Sequence, residues 1–188
     1  MATARDVVVL VGSLRAASLT RRVANALGEV APPSLALSQV EYRDLALYDQ
    51  DLEDRGAPPE WIAFRDRVRR ADAMLFVTPE YNRSVPGGLK NAIDVGSRPS
   101  GQSVFDGKPA GVVSVSPGAL AAFGANHHLR QMLVFLNMPA MAMPEAYIGG
   151  VKQKLDDAGK LVDDGTRQFL TKFMDAFAQW VEQTRRKG

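Results

Sequence analysis

Short, wholly apolar runs alternate along this chain with longer segments whose apolar residues recur every three or four positions. Residues 7–11 form an unbroken valine and leucine run closed by Gly12, which suits a strand buried on both faces. Beyond it, Leu19, Val23, Ala26, Leu27 and Val30 keep helical spacing, with Ser18 as the predicted N-cap and Pro32-Pro33 as the stop. Leu35, Leu37, Val40 and Tyr42 alternate by two with one slip, which predicts a half-exposed strand near a sheet edge, carrying a bulge. Residues 44–59 mix Asp, Gly and Pro with few apolar side chains. They read as a long surface loop ahead of a helix bearing Trp61, Phe64 and Val68.

The alternation then repeats. Residues 74–77 are a buried run broken by Pro79, and Pro86 opens a helix whose face holds Leu89, Ala92 and Ile93. Residues 110–115 form the next run, followed by Gly118 and a stripe of Leu129, Met132, Leu133 and Leu136. Residues 138–143 are assigned to a fifth strand, and Phe169, Leu170, Phe173, Phe177, Trp180 and Val181 line a C-terminal helix. The polar stretch 152–164 lacks the ligand spacing of a calcium loop and reads as a turn or short hairpin without chemistry.

Five strand-then-helix units without an internal repeat predict an α/β domain spanning residues 1–188. Its open, five-stranded parallel sheet has helices on both faces, right-handed crossovers and strand order 2-1-3-4-5. Ligands of such sheets bind at the carboxyl ends of the strands, where the order reverses between strands one and three. The loops after those two strands therefore carry the functional expectation.

Composition narrows the chemistry. A formal charge of +2 gives no footprint for nucleic acid, and the Arg185-Arg186-Lys187 run reads as a solvated helix end. With no cysteine there is no disulfide, thiolate ligand or thiol nucleophile, so redox work would need a borrowed cofactor. The first apolar run falls far short of the ~20 residues of a membrane span, so a soluble, cytoplasmic protein without membrane insertion is expected.

Residues 12–20, Gly-Ser-Leu-Arg-Ala-Ala-Ser-Leu-Thr, place hydroxyls, a guanidinium and unpaired amides around a helix start. This suits an anion. No Gly-Lys-Ser/Thr follows and no three-glycine fingerprint is present, so a monophosphate fits better than a pyrophosphate or triphosphate. A plain helix cap at Ser18 with Arg15 in water fits the same residues. Adjacent His127 and His128 diverge by about 100° on a helix, which favours surface or interface roles over metal ligation. Met138, Met141 and Met143 read as core filler.

A second constellation changes the picture. Gly12-Ser13-Leu14-Arg15, Thr78-Pro79-Glu80-Tyr81-Asn82 and Ser84-Val85-Pro86-Gly87-Gly88-Leu89-Lys90-Asn91-Ala92-Ile93-Asp94 together resemble the signatures of the NADPH-dependent FMN reductase family. The likeness is nearest to its bacterial quinone and chromate reductases, and it runs from Val7 through the Pro144-Glu145 and Ile148-Gly149-Gly150 segment. It implies a flavodoxin-like three-layer sandwich that holds FMN and takes electrons from NADPH or NADH. Ping-pong turnover would pass them to small-molecule acceptors: quinones first, with chromate, azo compounds and free flavin also implied.

The resemblance puts Ser13, Arg15, Ser18, Leu19 and Thr20 at the FMN phosphate, with Thr20 where relatives usually have asparagine. It puts Pro79, Glu80, Tyr81 and Asn82 along the ribityl chain and ring, and Ser116, Pro117 and Gly118 on the opposite side. Fixed N–H dipoles in these loops would stabilise the charge that a reduced flavin gains near N1 and O2. Hydride transfer at flavin N5 needs no protein proton donor, so no catalytic side chain is assigned and Glu80 is given a positioning role.

Relatives commonly have tryptophan at Val95, an aromatic at Arg83 and Gly-Gly at Ala121-Ala122, so these departures are expected to reshape the substrate face. Arg83 is a candidate attractor of anionic acceptors or of the nucleotide's phosphate. The likeness also implies a homodimer or homotetramer, with Arg130 and Glu145 pairing subunits. One rival is a flavodoxin-like electron carrier without nicotinamide turnover, though carriers are usually acidic and the sequence pI here is about 9.0. A phosphoacceptor signalling domain would need an acidic cluster at strand ends, and Asp6 lies at the wrong end of its strand.

Overall fold

The alternation of the first strand decides how the layers stack. In the computed structural model, which describes residues 3–185, β1 (Arg5–Val11) sends Val7, Val9 and Val11 to one face and Val8 and Leu10 to the other. All five of these side chains are buried. On the first face lie α1 (Leu19–Val30) and α6 (Asp164–Thr184), whose Leu27, Phe173 and Phe177 complete that core. On the second lie α3 (Pro59–Arg70), α4 (Gly87–Gly96) and α5 (Phe123–Phe135), contributing Trp61, Phe64, Leu89 and Leu129. A strand with a core on both sides must be apolar throughout, which is why these runs do not alternate.

With β2 (Leu35–Gln39), β3 (Ala73–Thr78), β4 (Ala110–Val115) and β5 (Ala146–Ile148), the sheet is parallel throughout and ordered β2-β1-β3-β4-β5, as the pattern predicts. The fold is thus a flavodoxin-like α/β sandwich of three layers. Ser18 caps α1 as expected, its hydroxyl accepting the Arg21 N–H at 3.1 Å. Asp163 does the same for α6 through the Thr166 N–H.

Four local expectations are corrected. The slip after Leu37 is no bulge, because β1 and β2 stay in register from Arg5↔Leu35 to Val9↔Gln39 and the strand then ends. Tyr42 lies past that end, where it turns into the core and donates its hydroxyl to the Val11 carbonyl at 2.6 Å. The loop at 44–59 contains a short helix, α2 (Gln50–Asp54), capped by Asp49 through the Asp51 N–H.

Residues 138–143 are not the fifth strand. They touch β4 through a single bridge between Ala110 and Ala140, and the ladder resumes only at Ala146. Pro139 and Pro144 bracket the segment and lack the N–H groups that a continuous ladder needs. Met138 and Met141 fill the core, but Met143 is exposed. The stretch after β5 opens with a 3₁₀ turn, Val151–Lys154, followed by a bridge between Leu155 and Leu161, a short hairpin as expected. Of the Arg185-Arg186-Lys187 run, Arg186 and Lys187 lie outside the described residues.

Candidate functional site

The carboxyl ends of β1, β3 and β4 open on one side of the sheet, and their loops enclose a cavity of about 300 Å³. Gly12 draws the first two of these loops together. Its N–H donates to the Val77 carbonyl at 2.8 Å, and a Cβ there would stand 2.9 Å from both Pro79 Cδ and Thr78 Oγ1. Arg43 holds the β1 loop from outside by donating to the Leu14 carbonyl at 2.8 Å. Leu14 in turn packs over Gly88 at the start of α4, where a Cβ would meet Leu14 Cδ1 at 3.1 Å.

The phosphate candidates converge as expected, with Ser13, Arg15, Ser18, Leu19 and Thr20 all lining the cavity. Ser13 and Thr20 are buried residues whose hydroxyls have no hydrogen-bond partner among the described residues, and Arg15 is exposed and makes no ion pair there. The Leu19 and Thr20 amides, in the first turn of α1, have no acceptor among the described residues. Free donors, an unpaired guanidinium and a helix N-terminus together have the chemistry that suits an anion. They fit the phosphate of a mononucleotide, and the space beyond them is bounded by the β3 and β4 loops.

From the β3 loop Pro79, Glu80 and Tyr81 line the cavity, Tyr81 half exposed at its rim. Ser116 and Pro117 line it from the β4 loop. Asn82 and Gly118 do not. Asn82 lies in the tight turn closed by mutual backbone bonds between Tyr81 and Ser84, at φ 51°, and the Gly118 N–H is already donated to Ser116 Oγ at 3.0 Å. Arg83 also stands outside the lining. Its side chain is largely exposed and reaches back to Glu80 at 3.4 Å.

The Glu80 carboxylate is engaged by the protein itself. The α5 N-cap is Ala122, which has no capping side chain, and Glu80 Oε2 instead accepts the Ala125 N–H at 3.0 Å. Gly124 makes room, since a Cβ there would lie 2.9 Å from the Arg83 carbonyl and 3.0 Å from Glu80 Oε2. Ala121 and Ala122 sit at φ 51° and 59°, the left-handed region that glycine occupies at least cost. The Gly-Gly that the resemblance implies at these positions would suit this backbone conformation.

Sequence reasoning missed two lining residues. Val115 ends β4 and Lys152 rises from the 3₁₀ turn after β5, a stretch to which no chemistry is assigned by pattern. Their position at strand carboxyl ends was the available signal. Conversely, none of residues 84–94 lines the cavity. Asn91, buried, braces the 44–48 loop by accepting the Tyr48 N–H and donating to the Ala46 carbonyl. Val95 is fully buried and away from the cavity, so it cannot reshape a substrate face. His127 and His128 point to different partners, the Tyr147 hydroxyl and Ser84 Oγ.

The profile of the NADPH-dependent FMN reductase family matches residues 5–153. The chain belongs to this family. It is 61% identical over 185 residues to a quinone reductase of Pseudomonas putida, covering 98% of this chain and 99% of that protein. It is 42% identical over 182 residues to a 2-hydroxy-1,4-benzoquinone reductase of a Burkholderia species, covering 97% and 99%. Among solved structures, the FerB NAD(P)H:acceptor oxidoreductase of Paracoccus denitrificans superposes with a TM-score of 0.91 at 40% identity, covering 97% of this chain and all of that one.

Proposed function

We propose that this FMN reductase family member is an FMN-dependent NAD(P)H oxidoreductase whose acceptors are quinones, the whole chain serving as one FMN-binding domain. The observation that carries the reading is the cavity at the β1, β3 and β4 ends, where Arg15, two free hydroxyls and the α1 amides lie unpaired in a chain 61% identical to a quinone reductase. FMN held there would supply the redox chemistry, carrying electrons from a nicotinamide donor to the acceptor.

The protein's part is to bind and orient. Ser13, Arg15, Ser18, Leu19 and Thr20 hold the phosphate, charge-assisted at the guanidinium. Pro79, Glu80, Tyr81, Ser116 and Pro117, which line the cavity, would border the ribityl chain, with Asn82 and Gly118 reached only where the ring extends past that lining, and donor and acceptor would use the same open face in turn. No residue is asked to move a proton at the transferring atom. Arg83, largely exposed and next to the lining residue Glu80, draws anionic acceptors or the nucleotide phosphate toward that face. Chromate, azo compounds and free flavin belong to the same proposal as further acceptors, as does a cytoplasmic location. Among the described residues no helix is long and apolar enough to cross a membrane.

We further propose that the protein assembles as a homodimer or homotetramer through Arg130 and Glu145. Arg130 donates to Asn126 Oδ1 and to the Met141 carbonyl, which fixes its guanidinium between α5 and the segment before β5, and the pairing itself rests on the family resemblance. Sedimentation of Arg130→Ala tests it, and an unchanged profile rejects it.

The absorbance of purified protein, followed by anaerobic NADPH and then a quinone, tests the main reading. A yellow protein that bleaches within turnover time and recolours with quinone is expected. A flavin that NADPH leaves oxidised would favour an electron carrier instead.

A further inference from the structure

We propose that Lys152 is a second cationic clamp on the FMN phosphate, joining Arg15 in the lining of the same cavity; this rests on the reading of the cavity as the FMN site. Val151 fixes the base of this residue. It is fully buried in the core layer shared with α1 and α6, and its N–H donates to the Ser116 carbonyl at 3.3 Å. The 3₁₀ turn therefore stands on α1's side of the sheet, beside the loop that walls the cavity, and Lys152 lines that cavity.

Lys152 makes no hydrogen bond or ion pair among the described residues, whereas its neighbour Lys154 is paired with Asp163. Glu80, the one carboxylate lining the cavity, is engaged by the Ala125 N–H and by Arg83 and is tied to α5 in the opposite layer. Two free cations thus face the space next to the α1 N-terminus. A phosphate monoester carries about −1.5 to −2 charges, and Arg15 with a helix end of about +0.5 supplies about +1.5. At full ionisation about half a charge is left over, and a nearby ammonium more than covers it. Being long and solvated, Lys152 adjusts to the phosphate as a point charge and needs no fixed fork geometry.

The test is titration of apoprotein with FMN and, separately, with riboflavin, followed by quenching of flavin fluorescence, for wild type, Lys152→Met and Lys152→Arg. Lys152→Met is expected to weaken FMN about tenfold at low salt, with the gap closing in 1 M salt. Lys152→Arg should stay near wild type, and riboflavin, which has no phosphate, should bind all three alike. Unchanged FMN affinity in Lys152→Met would overturn the proposal, as would equal losses for FMN and riboflavin, which would place the lysine on the ring. A wild-type protein that binds neither flavin would overturn the FMN reading itself.

Discussion

Gly12→Ala tests whether β1 and β3 meet as tightly at the mouth of the cavity as the geometry shows. The added Cβ would stand 2.9 Å from Pro79 Cδ and Thr78 Oγ1 and 3.2 Å from Thr78 Cα. Ordinary carbon contacts begin near 3.5 Å, so the two loops must part by about 0.6 Å. Besides the Thr78 hydroxyl, the obstacles are a proline ring and backbone, which cannot swing aside. Parting them stretches the 2.8 Å bond from the Gly12 N–H to the Val77 carbonyl toward about 3.4 Å, past its useful range. Overpacking costs about 1–3 kcal/mol and the weakened bond about 1 more, for a total of about 2–4 kcal/mol. In a domain of this size that lowers Tm by about 4–16 °C. Scanning calorimetry of the apoprotein reads the loss directly, and FMN titration should show weaker binding, because Ser13 and Pro79 move apart. A Gly12→Ala protein that melts within 1 °C of wild type would refute the close approach and, with it, this account of how the two loops are held.

Other expectations follow from single contacts. Glu80→Ala should destabilise by about 1 kcal/mol in urea unfolding because α5 loses its only side-chain cap, and Glu80→Gln, whose amide oxygen can still accept the Ala125 N–H, should recover most of it. Tyr42→Phe strands the buried Val11 carbonyl and should cost about 1–3 kcal/mol. Burial, with Glu41 nearby, also raises the Tyr42 phenol above its usual pKa. The unfolded chain therefore loses this proton at about pH 10 while the native one keeps it. Stability from this group is complete below that pH and falls as pH rises above it, so melting scans from pH 9 to 11 should show a shallower alkaline decline for Tyr42→Phe. Hydrogen bonds from Thr166, aided by Lys154, hold the Asp163 carboxyl below its ordinary pKa. Its contribution is present above the unfolded pKa and vanishes as pH falls through the folded one, so Asp163→Ala should melt lower at neutral pH and converge on wild type in acid. Arg83→Ala should change acceptor or NADPH kinetics while sparing FMN affinity, and unchanged kinetics would reject its steering role.

The chain's pattern by itself marked β1 to β4, every helix but α2, and the loop after β1 whose residues line the cavity. Each of these rests on local rules: unbroken apolar runs for strands with a core on both sides, three-to-four spacing for helices, Ser18 as a cap beside unpaired amides. Where local rules conflicted with pairing, the pattern failed. The apolar residues 138–143 look like a strand, yet Pro139 and Pro144 cannot sustain a ladder, and β5 forms two residues past the second proline. Only the tertiary structure could bring Lys152 into the lining of the cavity that Arg15 also lines. The two are far apart in sequence and share that lining only because β3, β4 and β5 lie side by side and aim their ends the same way. Only packing, likewise, could show that Glu80 caps a helix begun 43 residues later and that Asn91, though inside the most specific motif, braces a loop away from the cavity. A side chain's type limits what it can bind, but the groups it faces are set by distant segments, and these meet only when the core is formed.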